Sequence, residues 1–172
     1  MGGPRLGYHL RGHMRLASLG YGALAGGVAT APMTVAMEVL RRRLPEHHQY
    51  PLPPREITEQ TTETVGVQHR LDEEQRTGAS LAAHFAFGAA AGAGYGMVAA
   101  PLRPNPVLGG TLFGLLVWSV SYFGWLPALG LHRGAREEPA GRNLLMIAAH
   151  LVWGPITGVL VERLERVRRA FR

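Results

Sequence analysis

The chain has no cysteine and no lysine; all 18 of its basic residues are arginine. Without thiols there is no disulfide framework, no thiolate nucleophile and no cysteine-ligated metal or iron–sulfur centre. Also missing are a P-loop, a His-Glu-x-x-His pair, a Gly-x-Ser-x-Gly elbow and a dinucleotide fingerprint. No enzymatic activity is therefore expected. Nor does Met1–Arg15 have the form of a cleaved signal: it is polar and glycine-rich, and the apolar run after it exceeds the roughly 7–15 residues of a signal core. The first apolar segment is expected to stay in the mature protein.

Charge is scarce in a more telling way. Four long stretches, Leu16–Leu40, Ala79–Ala100, Val107–Leu131 and Leu144–Val161, carry no formal charge apart from Glu38. At ~1.5 Å rise per residue each is about long enough to cross a hydrocarbon layer of roughly 30 Å. A helix facing water would need polar residues along its length. The expected fold is all-α, an integral membrane four-helix bundle in one domain. The mean hydropathy near zero averages two populations, apolar spans and arginine-rich connections. A net charge of +6 would suit a nucleic-acid binder, but arginines flanking spans are accounted for by orientation and anionic lipid. Lipids are the expected partner, and nucleic acid is not.

An even number of spans puts both termini on one side. Arg5, Arg11, Arg15, Arg103, Arg163, Arg166, Arg168, Arg169 and Arg172 fall on the terminal face. Arg41, Arg42, Arg43, Arg55, Arg70, Arg76, Arg133, Arg136 and Arg142 fall on the other, so the count is level. The C-terminal arginines abut the last span, where the positive-inside bias is strongest, and this favours cytoplasmic termini. In the long connection 41–78, Tyr50-Pro51-Leu52-Pro53-Pro54-Arg55 predicts an extended strap, because consecutive prolines fix φ. Pro54–Val65 then predicts a short helix on the membrane surface. Pro101–Pro106 is so short that spans two and three are expected to be antiparallel neighbours. Segment 162–172 continues span four as an amphipathic extension whose Arg163, Arg166, Arg168, Arg169 and Arg172 reach toward lipid headgroups.

Aligning span two on span four matches Ala82, Ala83, His84, Gly88 and Gly92 with Ala148, Ala149, His150, Gly154 and Gly158. Spans one and three share Gly22-x-Leu24-x-Gly26 and Gly110-x-Leu112-x-Gly114. This pattern points to two parallel helical-hairpin repeats. Small residues recur four apart in every span: Gly22 and Gly26; Gly88, Gly92 and Gly96; Gly110 and Gly114; Gly154 and Gly158. Lipid offers no hydrophobic reward for helix association, so such faces are the expected source of close packing, either within the chain or against another membrane protein.

Ionisable groups inside a membrane are functional candidates by default. His84 and His150 share a helix face with the glycines that follow them, and Glu38 lies at the exit of span one on the same side. Several readings stay open. The histidines can be neutral and bonded to carbonyls while Glu38 pairs with Arg41 or Arg42. They can form a proton-responsive cluster with Glu38. They can also ligate haem or a chlorophyll-type tetrapyrrole, or, with the carboxylate, a metal ion. His47-His48 lies in a polar loop and is read as solvated.

Pro51-Leu52-Pro53-Pro54-Arg55 after a span ending in Glu38-Val39, with His150-Leu151-Val152-Trp153 later, resembles the YagU-like family of small inner-membrane proteins. The resemblance implies a bacterial inner-membrane location, a loose link to acid tolerance and histidines near His84 and His150; it implies no catalytic residues. In that family the carboxylate directly precedes the proline-rich segment, whereas here Leu40–Gln49 intervenes. The leading expectation is a non-enzymatic structural or accessory component that packs against lipids or a larger membrane complex. A proton-linked or pH-responsive transporter and a cofactor carrier are the alternatives.

Overall fold

The computed structural model describes the backbone of residues 5–171 and the side chains of 16–171 other than Gln68. Among the described residues four helices are long and apolar enough to cross a membrane. Helix α1 spans Arg5–Arg41, and α2, Pro53–Thr64, is a short helix in the first connection. Helix α3 spans Glu73–Leu102, α4 covers Pro106–Ala128 and α5 Ala140–Ala170. No strand occurs among the described residues.

Local chemistry sets most of the ends. Asp72 opens α3 several residues before the apolar run: its carboxylate accepts from Gln75 N while the Gln75 side chain accepts from Asp72 N. This reciprocal cap satisfies two amides that the first turn would otherwise leave unpaired. Asn105 caps α4 by accepting from Val107 N and Leu108 N at 3.1 and 3.0 Å. Pro53 and Pro54 occupy the first turn of α2, where a missing amide hydrogen costs nothing. The residue before them, Leu52, is extended.

Helix order in space is α3–α1–α5–α4, and glycine decides it. A Cβ on Gly22 would fall 2.2 Å from the Gly92 carbonyl oxygen, and one on Gly26 would fall 2.2 Å from that of Gly88. Gly96 sits equally close to the Ser18 carbonyl. In the second pair a Cβ on Gly110 would lie 2.2 Å from the Gly154 oxygen, and one on Gly158 2.0 Å from that of Pro106. Gly114 abuts His150 O. The backbones of α1 and α3, and of α4 and α5, thus touch where any side chain would wedge them apart. The glycines singled out in the sequence are all occupied inside the chain, against facing backbone except at Gly88, which packs on the Thr30 side chain.

Two refinements of the hairpin repeat follow. Gly22 meets Gly92 whereas its sequence counterpart Gly110 meets Gly154, so the packing register is one helical turn away from the alignment that pairs His84 with His150. The histidines are therefore at different heights in their respective hairpins. Helices α3 and α4 are consecutive and antiparallel as expected, yet they touch only sparsely. Each is drawn to a different glycine partner, and ring pairs bridge the gap, Tyr95–Phe113 and Phe87–Trp125 with centroids 5.3 and 5.7 Å apart.

The two pairs join along α1 and α5 through Ala29, Met33, Leu145, Met146, Ala149 and Trp153, all buried. The Trp153 indole donates to Gly26 O at 3.0 Å, and at the terminal end Ser18 Oγ donates to Glu165 at 3.2 Å. Small residues and methionines fill the inside while Leu24, Val28, Val35, Leu112, Leu116 and Leu151 point outward. A surface so apolar suits lipid, not water.

Helix α2 packs against α3 with Pro53 buried and Ile57 against the core, so it is tucked over the bundle and does not simply lie on a surface. Helix α5 runs unbroken through the basic extension. Arg163, Arg166 and Arg169 are exposed, Arg166 pairing with Glu162 and Arg169 with Glu165. Arg168 departs from the expected lipid-facing role: it is half-buried and turned toward α1, its guanidinium 5.8 Å from the Tyr21 ring. Arg172 lies outside the described residues.

Gly92→Ala should lower stability by about 1–3 kcal/mol, since the added methyl meets backbone rather than a movable side chain. Gly20→Ala, with open space around it, should leave stability unchanged. Unfolding of both variants in mild detergent checks this.

Candidate functional site

The loop-side end of the bundle holds a buried ionic network that ties the proline strap to the rest. Glu138 ends the α4–α5 connection and Arg142 follows it in the first turn of α5, four residues on. The Arg142 Nε donates to Glu138 Oε2 at 2.8 Å. Its Nη1 donates to Tyr50 O at 3.1 Å and His48 O at 3.3 Å, and Nη2 donates to Pro51 O at 2.8 Å. The Tyr50 ring lies 3.6 Å from the guanidinium carbon and its hydroxyl donates to Glu138 Oε2 at 3.0 Å. A buried charge is costly unless fully partnered, and Arg142 is partnered on every side. The extended run expected over Tyr50–Arg55 ends at Leu52: Pro53, Pro54 and Arg55 form the first turn of α2 instead, where proline fits without loss of a hydrogen bond. The carbonyls of the residues before it are the strap's means of attachment.

His132 and Glu56 complete the network. The His132 Nδ1 meets the Arg133 carbonyl, and Nε2 lies 2.9 Å from Glu56 Oε2 and 3.9 Å from Glu138 Oε1. The 2.9 Å pair is close but lacks the alignment of a hydrogen bond. Burial works against the imidazolium, but the Glu56 carboxylate, the Arg133 carbonyl and the Glu138 charge outweigh it and raise the His132 pKa. Burial, and then the bond to Glu138, raise that of Tyr50, which stays a neutral donor.

Beneath this network, in the gap between α3 and α4, is a cavity of about 310 Å³. Thr30 and Met33 of α1 and Met146, His150 and Trp153 of α5 form its floor. Its walls are Ala83, His84, Phe87, Gly88 and Ala91 of α3 and Val117, Ser121, Tyr122 and Trp125 of α4; Pro54, Ile57 and Thr61 of α2 cover it. The exposed Ala83, Phe87 and Thr61 mark its open side. On the α4 wall the helix widens to a π turn over Ser121–Trp125, with Gly124 at φ −114°, ψ −106°. Such a bulge offsets the following side chains and is frequent at functional sites. Here it accompanies the bond from Trp125 Nε1 to Ser121 Oγ, 3.2 Å long.

His84 and His150 both line this cavity. His150 Nδ1 donates to Met146 O at 2.8 Å, which leaves Nε2 as the acceptor in the neutral ring. His84 Nε2 and the Tyr122 hydroxyl are buried without a hydrogen-bond partner. Tyr122 also packs edge-on against His132, centroids 5.3 Å apart, so it stands between the ionic network and the cavity.

Glu38 is not brought to the histidines. Arg41 grips it with Nε and Nη2, both at 2.9 Å, and Arg42 Nε adds a third bond of 2.9 Å. Arg41 also donates to Gln49 O at 2.9 Å, so the carboxylate serves to fold the chain back into the strap. Sequence reasoning missed Tyr50, Glu56, Tyr122, His132, Glu138 and Arg142. One signal was available: Glu138 and Arg142 sit four apart where a helix begins, a spacing that pairs them.

The chain belongs to a family described as a protein of unknown function (DUF1440), whose model matches residues 34–158. The matched segment contains the whole network, His84 and His150, but stops short of Gly22 and Gly26. No curated protein and no solved structure matches the chain.

Arg142→Met should cost about 3–5 kcal/mol, because it strands a buried Glu138 and the strap carbonyls. The expected readout is a lowered unfolding midpoint together with faster tryptic cleavage after Arg55 and Arg70.

Proposed function

We propose that this DUF1440 protein is a non-enzymatic membrane protein that holds an apolar molecule with one polar end in the cavity between α3 and α4. The observation that carries the reading is a cavity at the lower end of the usual ligand range, opening between two apolar helices and holding His84 and His150. Lipid is the phase from which such a molecule enters. The His150 ring, fixed by Met146 O, and the unpartnered His84 Nε2 are poised to receive the polar end. The Phe87–Trp125 ring pair spans the entrance and α2 covers the loop-side end.

Other readings lose support on geometric grounds. A proton-linked cluster of Glu38, His84 and His150 lacks its carboxylate, which is held by Arg41 and Arg42. Docking to a larger complex through the glycine faces would require surfaces that α1, α3, α4 and α5 already share. A tetrapyrrole remains one chemical class of occupant, identified by its colour. The proline-rich Pro51-Leu52-Pro53-Pro54-Arg55 supports the narrower placement among YagU-like proteins, and with it a bacterial cytoplasmic membrane.

Native mass spectrometry of protein extracted from its own membrane in mild detergent tests the reading. One apolar molecule per chain is expected, reduced at least severalfold in Ala83→Trp, whose indole fills the mouth. An empty wild-type cavity that also fails to take up a pyrene-labelled acyl probe would sink it. A Soret band would identify the occupant as a tetrapyrrole. Cytoplasmic termini are proposed on the arginines in the last turns of α5, and a reporter fused after Arg172 should be active on the cytoplasmic side.

A further inference from the structure

We infer that Glu56, His132 and Glu138 form a site for a first-row divalent metal ion of the class that accepts imidazole and carboxylate together, zinc foremost. Each of the three offers one ligand atom, and these atoms all lie within 4.8 Å of one another. Zinc bonds of roughly 2.1 Å in a tetrahedron place ligand atoms ~3.4 Å apart. The observed 2.9 Å from His132 Nε2 to Glu56 Oε2 and 3.9 Å to Glu138 Oε1 bracket that separation.

The outer contacts are those that a metal site needs. Each carboxylate spends one oxygen on Arg142, Glu138 Oε2 at 2.8 Å and Glu56 Oε1 at 3.7 Å, and turns the other toward the common point. Tyr50 adds a second bond to Glu138 Oε2. The Arg133 carbonyl at His132 Nδ1 fixes the tautomer that presents a lone pair at Nε2. In that tautomer Nε2 faces a carboxylate oxygen at 2.9 Å, a contact that demands a cation between them, either a second proton on the ring or a metal.

The independent mark of a ligand is Glu138 Oε1, which has no hydrogen-bond partner on a side chain only 2% exposed; His132 Nε2, on a side chain 1% exposed, meets Glu56 Oε2 without the alignment of a hydrogen bond. Both are aimed into the cluster. Glu56 is 27% exposed and gives the ion a path in and room for a water as fourth ligand. Two carboxylates against Arg142 leave one negative charge for a divalent ion when the imidazole is neutral. A bound ion ties α2, which covers the cavity, to the α4–α5 connection.

The test is titration of the tag-free full chain in detergent, stripped with a chelator, by Co²⁺ at neutral pH. Uptake of one equivalent with visible d–d bands, displaced by Zn²⁺, is expected, and His132→Ala and Glu56→Gln should each abolish it while circular dichroism stays helical. Tyr50→Phe should weaken binding roughly 10-fold. Failure of the wild type to bind overturns the proposal. So does binding that survives both ligand variants but is lost in the His47→Ala/His48→Ala double variant. Should His132→Ala not fold, Glu56→Gln on the half-exposed α2 decides alone.

Discussion

Backbone-to-backbone contact at glycine is the constraint from which the rest of the architecture follows. In lipid no hydrophobic force drives helices together, so beside a few interhelical hydrogen bonds short-range dispersion supplies most of the attraction, and it needs faces without side chains. Gly22, Gly26, Gly88, Gly92 and Gly96 pin α3 to α1; Gly110, Gly114, Gly154 and Gly158 pin α4 to α5. Once those contacts form, α3 and α4 cannot also approach each other closely. The space between them is therefore a geometric consequence of the tightest packing elsewhere. Rings at Phe87, Tyr95, Phe113 and Trp125 reach across it.

The loop-side network solves a different problem. A long connection of prolines and charges has to be held against an apolar bundle, where free carbonyls are costly. Arg142 answers this by donating to carbonyls of His48, Tyr50 and Pro51 at once, its own charge balanced by Glu138. Proline suits the strap since it removes amide donors that would need acceptors there. The attachment fixes where α2 begins and so where the cavity is covered. Tyr122, touching His132 on one side and lining the cavity on the other, makes the two regions neighbours.

Much of this was legible in the residues. Four stretches whose only charge is Glu38 mean four lipid-length helices, since few polar groups are present to meet water, and small residues four apart mean close faces. The start of α3 at Glu73 was less visible, because Asp72 and Gln75 extend the helix into polar sequence by capping chemistry that hydropathy ignores. Helix α2 was foreseen nearly to the residue from its prolines, though not its place over the cavity, which depends on Arg142 far along the chain. The equivalence of His84 and His150 was read from identity alone. The packing register differs by a turn, and only the facing glycines fix register.

Composition and pattern alone thus determined the class: an all-α chain with four helices fit for a bilayer, glycine faces, a short proline-started helix in the first connection and no thiol chemistry. The tertiary structure alone decided which helix each glycine face meets, and hence that a cavity opens between α3 and α4. It also decided that Glu38 serves the strap while Glu56, His132 and Glu138 converge. The reason is physical: periodicity reports which side of a helix is bare, but the choice of partner and the meeting of residues from three separate segments are properties of the whole packed chain.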